Sequence, residues 1–443
     1  MKKIALLVLL LVAAALVAIV VRDRAEPSEV ERSIRKNNVF LVFRKEDVRK
    51  IEIQGPEGAF TILRATDGSA RVLSPVEDAA DASRVDRLLG VLEFAAVSRT
   101  VGAAHPGMNA PIVRVTMEMG SRTLRFAMGD EAPGKAGARY FQIEGEKVIV
   151  VDKALAEALL AKADAYRERA LTSIRVQEIE SVSLGAPGGV RVKILAKGEG
   201  RFALDNGFTA SREAMDHVFT AFAEMSADRF LDAPALDAAE RSATLEVEVS
   251  EKGGRLTRFV VAGACEGAPD RVVLARTLPT RKAMCVAKRS VEAFSLPADA
   301  WMERAPFTLR FDEMEEIRIR APAAERTFEA VRKGGGWNVR IPFEEELTPA
   351  AAEIVNAHAL RLAALRGLRI DHGSPPGVVV AEATVRGHER TEKVQLFGTT
   401  AEWKLFRESD GAIITIQEGE RELFLPDEIL RRLRPSDAPR QAP

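Results

Sequence analysis

Gly129-Asp130-Glu131-Ala132-Pro133-Gly134-Lys135-Ala136 comes nearest to a chemical signature. It satisfies G-x-x-x-x-G-K and fails at the last position, where a phosphate-binding loop needs a Ser or Thr hydroxyl for magnesium. Pro133 removes a backbone N–H from the would-be cradle. Arg139-Tyr140-Phe141-Gln142-Ile143 then reads as a strand, not as a helix whose N-terminal N–H groups face a phosphate. The segment is read as a connection between strands. The five histidines, His105, His217, His358, His372 and His388, make no H-E-x-x-H, and no C-x-x-C exists, so there is no zinc signature. His217 and His358 fall in helical patterns, where surface or core-edge packing is the ordinary use. Gly373-Ser374 runs into Pro375-Pro376, which suits a loop and not a nucleophile elbow. Glu344-Glu345-Glu346 and Glu315-Glu316 suit solvated faces and hairpin edges. Trp301, Trp337 and Trp403 are read as core residues in preference to a sugar platform. No catalytic residue, metal ligand or cofactor-binding residue is assigned, and the chain is not read as an enzyme.

Two further sets carry weaker chemistry. Cys265 and Cys285 are the only cysteines. A disulfide between them and a pair of buried thiols both remain open, because a sequence does not supply the Cα separation that bonding requires. Glu168, Arg169 and Arg175 recur as Glu303, Arg304 and Arg310. Since Arg can fork to a carboxylate, these six are expected to brace successive units against one another; the alternative is unconnected surface charge.

That recurrence belongs to a longer one. Phe43–Ile53, Ile174–Leu184 and Leu309–Ile319 align, with a period near 133 residues. Each has an Arg and an acid ahead of a strand whose apolar positions are Val48/Ile51/Ile53, Ile179/Val182/Leu184 and Met314/Ile317/Ile319. Tyr166-Arg167-Glu168-Arg169-Ala170-Leu171 matches Trp301-Met302-Glu303-Arg304-Ala305-Pro306, and Gly129, Gly263 and Gly398 keep the register. Each copy continues through a Gly-turn hairpin into an amphipathic helix. Asp81, Ser211 and Thr348-Pro349 are its caps, with Val85/Leu88/Leu89/Leu92, Met215/Val218/Phe219/Phe222 and Val355/Ala359/Leu362 as its apolar stripes.

Four strands are predicted next in each copy: 112–118, 123–128, 138–143 and 147–151; 244–249, 256–262, 271–276 and 283–287; 379–385, 391–397, 402–407 and 412–416. A second helix follows near 153–166, 290–301 and 426–433. Short Gly-containing turns favour antiparallel pairing. The fold class is therefore α+β, with three tandem units of antiparallel sheet and helices packed on one face, at 38–171, 172–306 and 307–435.

Residues 4–21, IALLVLLLVAAALVAIVV, hold no charge. As a helix they would span about 27 Å, close to a bilayer's hydrocarbon thickness. They are read as an uncleaved transmembrane anchor (residues 1–22) in preference to a signal peptide. A polar linker at 23–37 and a loose tail at 436–443 complete the chain. No second run of spanning length exists, so all that follows lies on one side, taken to be outside the cytoplasm. A formal net charge of −1 with dispersed arginines offers no field to attract nucleic acid.

Asp47-Val48, Ile51 and Ile53, Pro75, Gly129-Asp130-Glu131 with Pro133 and Tyr140, and Tyr166-Arg167-Glu168-Arg169-Leu171 together resemble the uncharacterised family named domain of unknown function 4340. The likeness is clearest over residues 1–175. Copies two and three lack the Gly-Asp-Glu-x-Pro element: Gly263 is followed by Ala264-Cys265-Glu266 and Gly398 by Thr399-Thr400. Genes of that family often neighbour ABC transporter permeases and a gliding-motility-type auxiliary subunit. The resemblance thus implies a single-pass protein of the bacterial inner membrane with a periplasmic bulk, acting as a noncatalytic accessory or scaffold of an envelope exporter. A periplasmic binding module for polysaccharide, peptidoglycan or lipid is the other expectation. The resemblance implies no cofactor and no site residue.

Overall fold

The computed structural model describes Ser33 and residues 35–41, 43–102, 105–120, 122–171, 174–198, 200–341, 347–398 and 402–433. The apolar run 4–21, most of the 23–37 linker, Glu344-Glu345-Glu346, Thr399-Thr400 and the 436–443 tail lie outside the described residues. Among the described residues no helix is long and apolar enough to cross a membrane. The chain forms two compact units, one ending at Leu171 and one starting at Thr172.

The first unit holds a nine-stranded sheet and the second holds two eight-stranded sheets. In the first, β1 (Val48–Gly55), β2 (Gly58–Arg64), β3 (Ala70–Ser74), β4 (Asp78–Ala79), β5 (Val97–Gly102), β6 (Val113–Met119), β7 (Arg122–Glu131), β8 (Arg139–Ile143) and β9 (Val148–Val151) lie in the order β4-β3-β2-β1-β6-β7-β8-β9-β5. The second comprises β10 (Ile179–Gly185), β11 (Arg191–Gly198), β12 (Arg201–Leu204), β13 (Arg229–Leu231), β14 (Leu245–Glu251), β15 (Arg255–Cys265), β16 (Ala268–Leu278) and β17 (Lys282–Ala287). The third comprises β18 (Met314–Ala321), β19 (Arg326–Lys333), β20 (Gly336–Ile341), β21 (Arg369–His372), β22 (Val379–Gly387), β23 (Thr391–Gly398), β24 (Trp403–Arg407) and β25 (Ala412–Ile416). Their orders, β12-β11-β10-β14-β15-β16-β17-β13 and β20-β19-β18-β22-β23-β24-β25-β21, repeat the first one without its edge strand β4, and neighbouring strands are antiparallel throughout. Among the described residues the helices include α1 (Ala82–Glu93), α2 (Lys153–Leu160), α3 (Arg212–Glu224), α4 (Ala233–Arg241), α5 (Arg289–Glu292), α6 (Pro349–Ala364) and α7 (Pro426–Leu433).

The leading strands explain their own spacing. Apolar residues three and then two apart require one extra residue before regular alternation begins. The pairing register shifts there in every copy, between Val48 and Lys50, Ile179 and Ser181, and Met314 and Glu316. All nine predicted apolar positions are buried. The first long helix of each copy starts at its expected cap. Asp81 Oδ1 accepts the Ser83 and Arg84 N–H groups at 3.0 and 3.2 Å. Ser211 Oγ accepts Ala214 N–H and Thr348 Oγ1 accepts Ala351 N–H, both at 3.3 Å. In α1 the predicted stripe Val85, Leu88, Leu89 and Leu92 is the buried face.

Three features depart from the sequence reading. The short edge strands β5, β13 and β21 were not anticipated; each follows the long helix and closes the far edge of its sheet. The second helices are shorter than predicted. α2 stops at Leu160, and the 290–301 helix is only α5 plus a 3-10 turn, Ala298–Trp301, because Pro297 cannot donate an N–H to a continuous helix. Finally, Asn37 and Arg35, placed in the linker, belong to the folded unit. Asn37 accepts Val97 N–H at 2.8 Å, and Arg35 pairs with Glu93 at 2.8 Å.

In the second sheet both faces are covered. Phe259 meets Phe222 of α3 and Phe294 on the core side, while Val260, Ala262, Ala275 and Ala283 pack with Leu236 and Ala239 of α4 on the other. β15 is accordingly apolar on successive residues. Cys265 and Cys285, both buried, form a disulfide in this sheet with a Cα separation of 6.0 Å.

Two stability predictions follow from these cores. The disulfide closes a loop of 20 residues, which constrains the unfolded chain by about 3 kcal/mol on the chain-entropy account. The Cys265→Ser/Cys285→Ser double variant should therefore unfold at lower denaturant concentration, by an amount matched when the parent is reduced. His358, on the buried face of α6 beside Phe328, has its imidazole pushed down to about 4 by burial, with the Arg361 and Arg432 charges acting in the same direction. A folded value below the ordinary 6.5 means the unfolded chain binds the proton more tightly. This contribution is complete above pH 6.5 and drains away as pH falls towards 4, by roughly 3 kcal/mol in all. Stability measured against pH should show that acid limb, and His358→Leu should flatten it.

Candidate functional site

Where copies two and three meet inside the second unit, the backbone itself is continuous. Residues 208–210 run along the outer edge of β12: Leu204 N–H donates to Phe208 O at 2.8 Å and Ala210 N–H to Phe202 O at 2.9 Å. The junction strand follows. Ala210 pairs with Met302, Glu303 N–H donates to Thr209 O at 2.9 Å, and Ser211 N–H donates to Trp301 O at 2.7 Å. On its other side Arg304 O accepts Gly367 N–H at 2.9 Å, just ahead of β21. A hydrogen-bonded path thus leads from the second sheet through 301–304 to the third. The first unit repeats the inner half of this arrangement, with Ala80 paired to Arg167, Asp81 N–H on Tyr166 O and Glu168 N–H on Ala79 O.

Arg407 locks the junction. Its Nε and Nη2 fork onto the Asp410 carboxylate at 2.9 and 2.7 Å, and its Nη1 donates to Glu303 O at 3.0 Å and to Ala305 O. Asp410 also accepts Thr209 N–H at 2.8 Å, so copy three grips both the junction and copy two. The two side chains are 2% and 4% exposed. Burial alone would raise the Asp410 carboxyl, but the Arg407 hydrogen bonds and charge outweigh it and hold the group below the usual carboxylate range. Phe208 adds an edge-on contact to the His372 ring, 5.2 Å between centroids.

The residues singled out in the sequence sit as follows. The Glu303 carboxylate is taken up by backbone N–H groups, those of Arg212 at 3.1 Å and Ala305 at 2.9 Å, and not by an arginine. Arg212 is the first residue of α3, so Glu303 anchors a helix N-terminus to the junction. Glu168 repeats the local turn by accepting Ala170 N–H at 3.1 Å. Arg304 turns to Asp299, Arg175 pairs with Glu178 at 3.1 Å, and Arg310 N–H donates to Glu313 at 3.0 Å. Arg169 has a buried Nε with no hydrogen-bond partner among the described residues. The expected Arg–carboxylate fork at the junction is therefore made by a different pair. Its signal was Arg407 at an inward position of the Trp403/Leu405/Arg407 alternation, followed by an Asp410-Gly411 turn. Arg407 and Leu405 share the buried face.

Beside the lock lies a recess of 380 Å³ that adjoins a wider one of 920 Å³, the two sharing Arg212, Asp216, Glu303, Thr308 and Leu309. Phe202 and Phe219, 5.4 Å apart, form an apolar wall with Met215. Charged groups in and behind the lining are already engaged. Glu392 accepts Thr308 N–H at 2.7 Å and Leu309 N–H at 3.3 Å, and Arg390 lies between Glu392 at 3.4 Å and Glu313 at 3.7 Å. Such a recess can bind an apolar group under a polar rim. Among the described residues no group of three or more His, Cys, Asp or Glu could hold a metal ion.

Gly129-Asp130-Glu131-Ala132-Pro133 is likewise structural. A Cβ on Gly129 would lie 2.0 Å from Gly107 O, so only glycine allows that approach. Tyr140 stacks on His105 with centroids 4.0 Å apart, and Glu131 accepts Gly137 N–H at 3.0 Å to close the turn before β8.

The family model described as domain of unknown function (DUF4340) matches residues 102–244, about a third of the chain. The stretch runs from the end of β5 through the Tyr166–Leu171 junction to the start of β14, and over it the chain is similar to that family. No curated protein and no solved structure matches the chain.

Removing one partner of the Arg407–Asp410 pair leaves the other charge buried, at a cost of roughly 3–5 kcal/mol. Arg407→Leu and Asp410→Leu should each destabilise the second unit by about that much. The double variant should be far less destabilised than the sum, giving a strong coupling in chemical denaturation. A Glu303–Arg304 cycle should show none.

Proposed function

We propose that this protein is a noncatalytic, membrane-anchored accessory or scaffold on the extracytoplasmic side of an ABC-type envelope export system. The observation that carries the binding role is the junction itself. Its buried charges, Arg407, Asp410 and Glu303, are committed to holding copies together, and Glu392 and Arg390 hold the wall beside the recess. Groups tied down in this way position a surface; they are poorly placed to exchange protons with a substrate. The Cys265–Cys285 disulfide supports an oxidising compartment and the apolar run at 4–21 supports a tether; the exporter setting rests on the gene neighbourhood that the family resemblance implies.

The second reading is a binding module for polysaccharide, peptidoglycan or lipid. The recess walled by Phe202, Phe219 and Met215 favours it, since apolar surface beside charged rims is what amphipathic ligands fill.

Tagged full-length protein, and a form lacking residues 1–22, should be purified in mild detergent from native membranes. The scaffold reading expects stoichiometric recovery of an ABC permease or its auxiliary subunit with the full-length chain. Repeated recovery of the protein alone would overturn it, and thermal stabilisation by an envelope glycan or lipid would then favour the second reading.

A further inference from the structure

The first unit carries exposed apolar side chains at the edge where the chain enters it. Phe94, at the C-terminal cap of α1, is 73% exposed, and Leu41 is 55% exposed. Both flank one short pairing of backbone: Asn38 bridges to Ala96, Val39 N–H donates to Ala95 O, and Val97 N–H donates to Asn37 O. Phe40, next to Leu41, points into the core against Phe43, Phe126 and Phe141, so the backbone here is held firmly while Leu41 is turned outward. Single exposed apolar residues are ordinary on protein surfaces. Three circumstances set this pair apart.

The first is the chain that precedes it. The apolar run ends at Val21, and residues 22–34 can reach at most about 45 Å when fully extended. A bilayer that holds residues 4–21 is therefore never far from this edge. The second is helical phase. Arg87 lies seven residues before Phe94 and hence on nearly the same side of α1; it is exposed, with half-buried Val91 between them. Lys36, also exposed, lies in the turn at residues 35–37, just ahead of the Asn38 bridge. A ring and an aliphatic chain flanked by cations suit the headgroup region of a bilayer, where aromatics sit and basic residues meet anionic lipid. The third is position in the sheet. β5 is the last strand of the order that begins at β4, so the patch occupies one edge of nine strands. Val76, 47% exposed beside β4, marks the opposite edge of the strand order.

We propose that Phe94 and Leu41 form a membrane-facing contact that seats the first unit against the lipid surface in which residues 4–21 are anchored. The contact rests on the anchored reading and adds an orientation to it: the α1 end of the sheet is turned to the bilayer.

The full-length chain should be reconstituted in vesicles of phosphatidylethanolamine and phosphatidylglycerol whose acyl chains carry bromine close to the headgroup. Phe94→Trp, Val76→Trp and Leu10→Trp variants each add one fluorophore to the three native tryptophans, none of which lies in the first unit. The added emission of Phe94→Trp should fall by roughly half or more in the brominated vesicles, as an interfacial ring requires, while that of Val76→Trp stays unchanged. Quenching of Leu10→Trp together with an unquenched Phe94→Trp would overturn the contact and leave the anchor standing. If neither is quenched, anchor and contact both fail. Because Phe94 is exposed, its replacement by Trp leaves the fold intact, and thermal unfolding of each variant checks this.

Discussion

The second unit depends on one guanidinium. A strand inserted between two sheets must satisfy its backbone on both sides and its exposed carbonyls as well, because buried polar groups without partners are costly. Residues 301–305 meet that demand with Arg407, whose planar fork engages Asp410 while its remaining N–H groups cover Glu303 O and Ala305 O. Asp410 hands the connection on to Thr209. A lysine could not do this, since it presents a single point charge in place of two directed pairs of donors. This geometry joins copies two and three, which fits the appearance of one compact unit where the sequence period suggests two.

The three sheets show what the repeat holds constant and what it leaves free. The shifted register in β1, β10 and β18, the capped helix and the strand order recur. The segment between the edge strand and the next central strand does not. In copy one it brings Met108 and His105 over Tyr140, Val148 and Val150. In copy two it becomes α4, covering Val260 and Ala262 in the sheet that also holds the disulfide. In copy three it is only the short stretch 373–378, between β21 and β22. Constraint falls on the face that forms the shared core, and variation collects in the crossing loop, where new contacts disturb nothing already packed.

This division bears on function. Glu303, Glu392, Arg390 and Glu313 beside the junction recess are tied into capping and pairing next to the Phe202–Phe219 wall, while Asp216, His388 and Glu389 of its lining are exposed. Side chains already held by such contacts lose little conformational freedom when the surface they support is occupied.

Periodicity alone was enough for much of this fold. The alternation in Val48/Ile51/Ile53 and its two echoes fixed three leading strands, though not the register shift at the start of each. Asp81, Ser211 and Thr348 fixed three helix starts, and the Gly turns implied antiparallel meanders. These are local properties, set by a residue and neighbours within a few positions. β5, β13 and β21 were not legible, because edge strands are short and take their identity from the strand they join. Neither was the site. Glu303 and the repeated arginines were visible as a pattern, but their partners were not. A carboxylate accepts from whichever donor is nearest in space, and for Glu303 those donors are the N–H groups of Ala305 and of Arg212, ninety-one residues away in sequence. The pairing of Cys265 with Cys285 and the burial of Arg407 were likewise settled by distances that only packed sheets create. Sequence determined the unit and its number of copies; tertiary structure decided which charges meet, since that choice depends on geometry between residues the chain places a hundred positions apart.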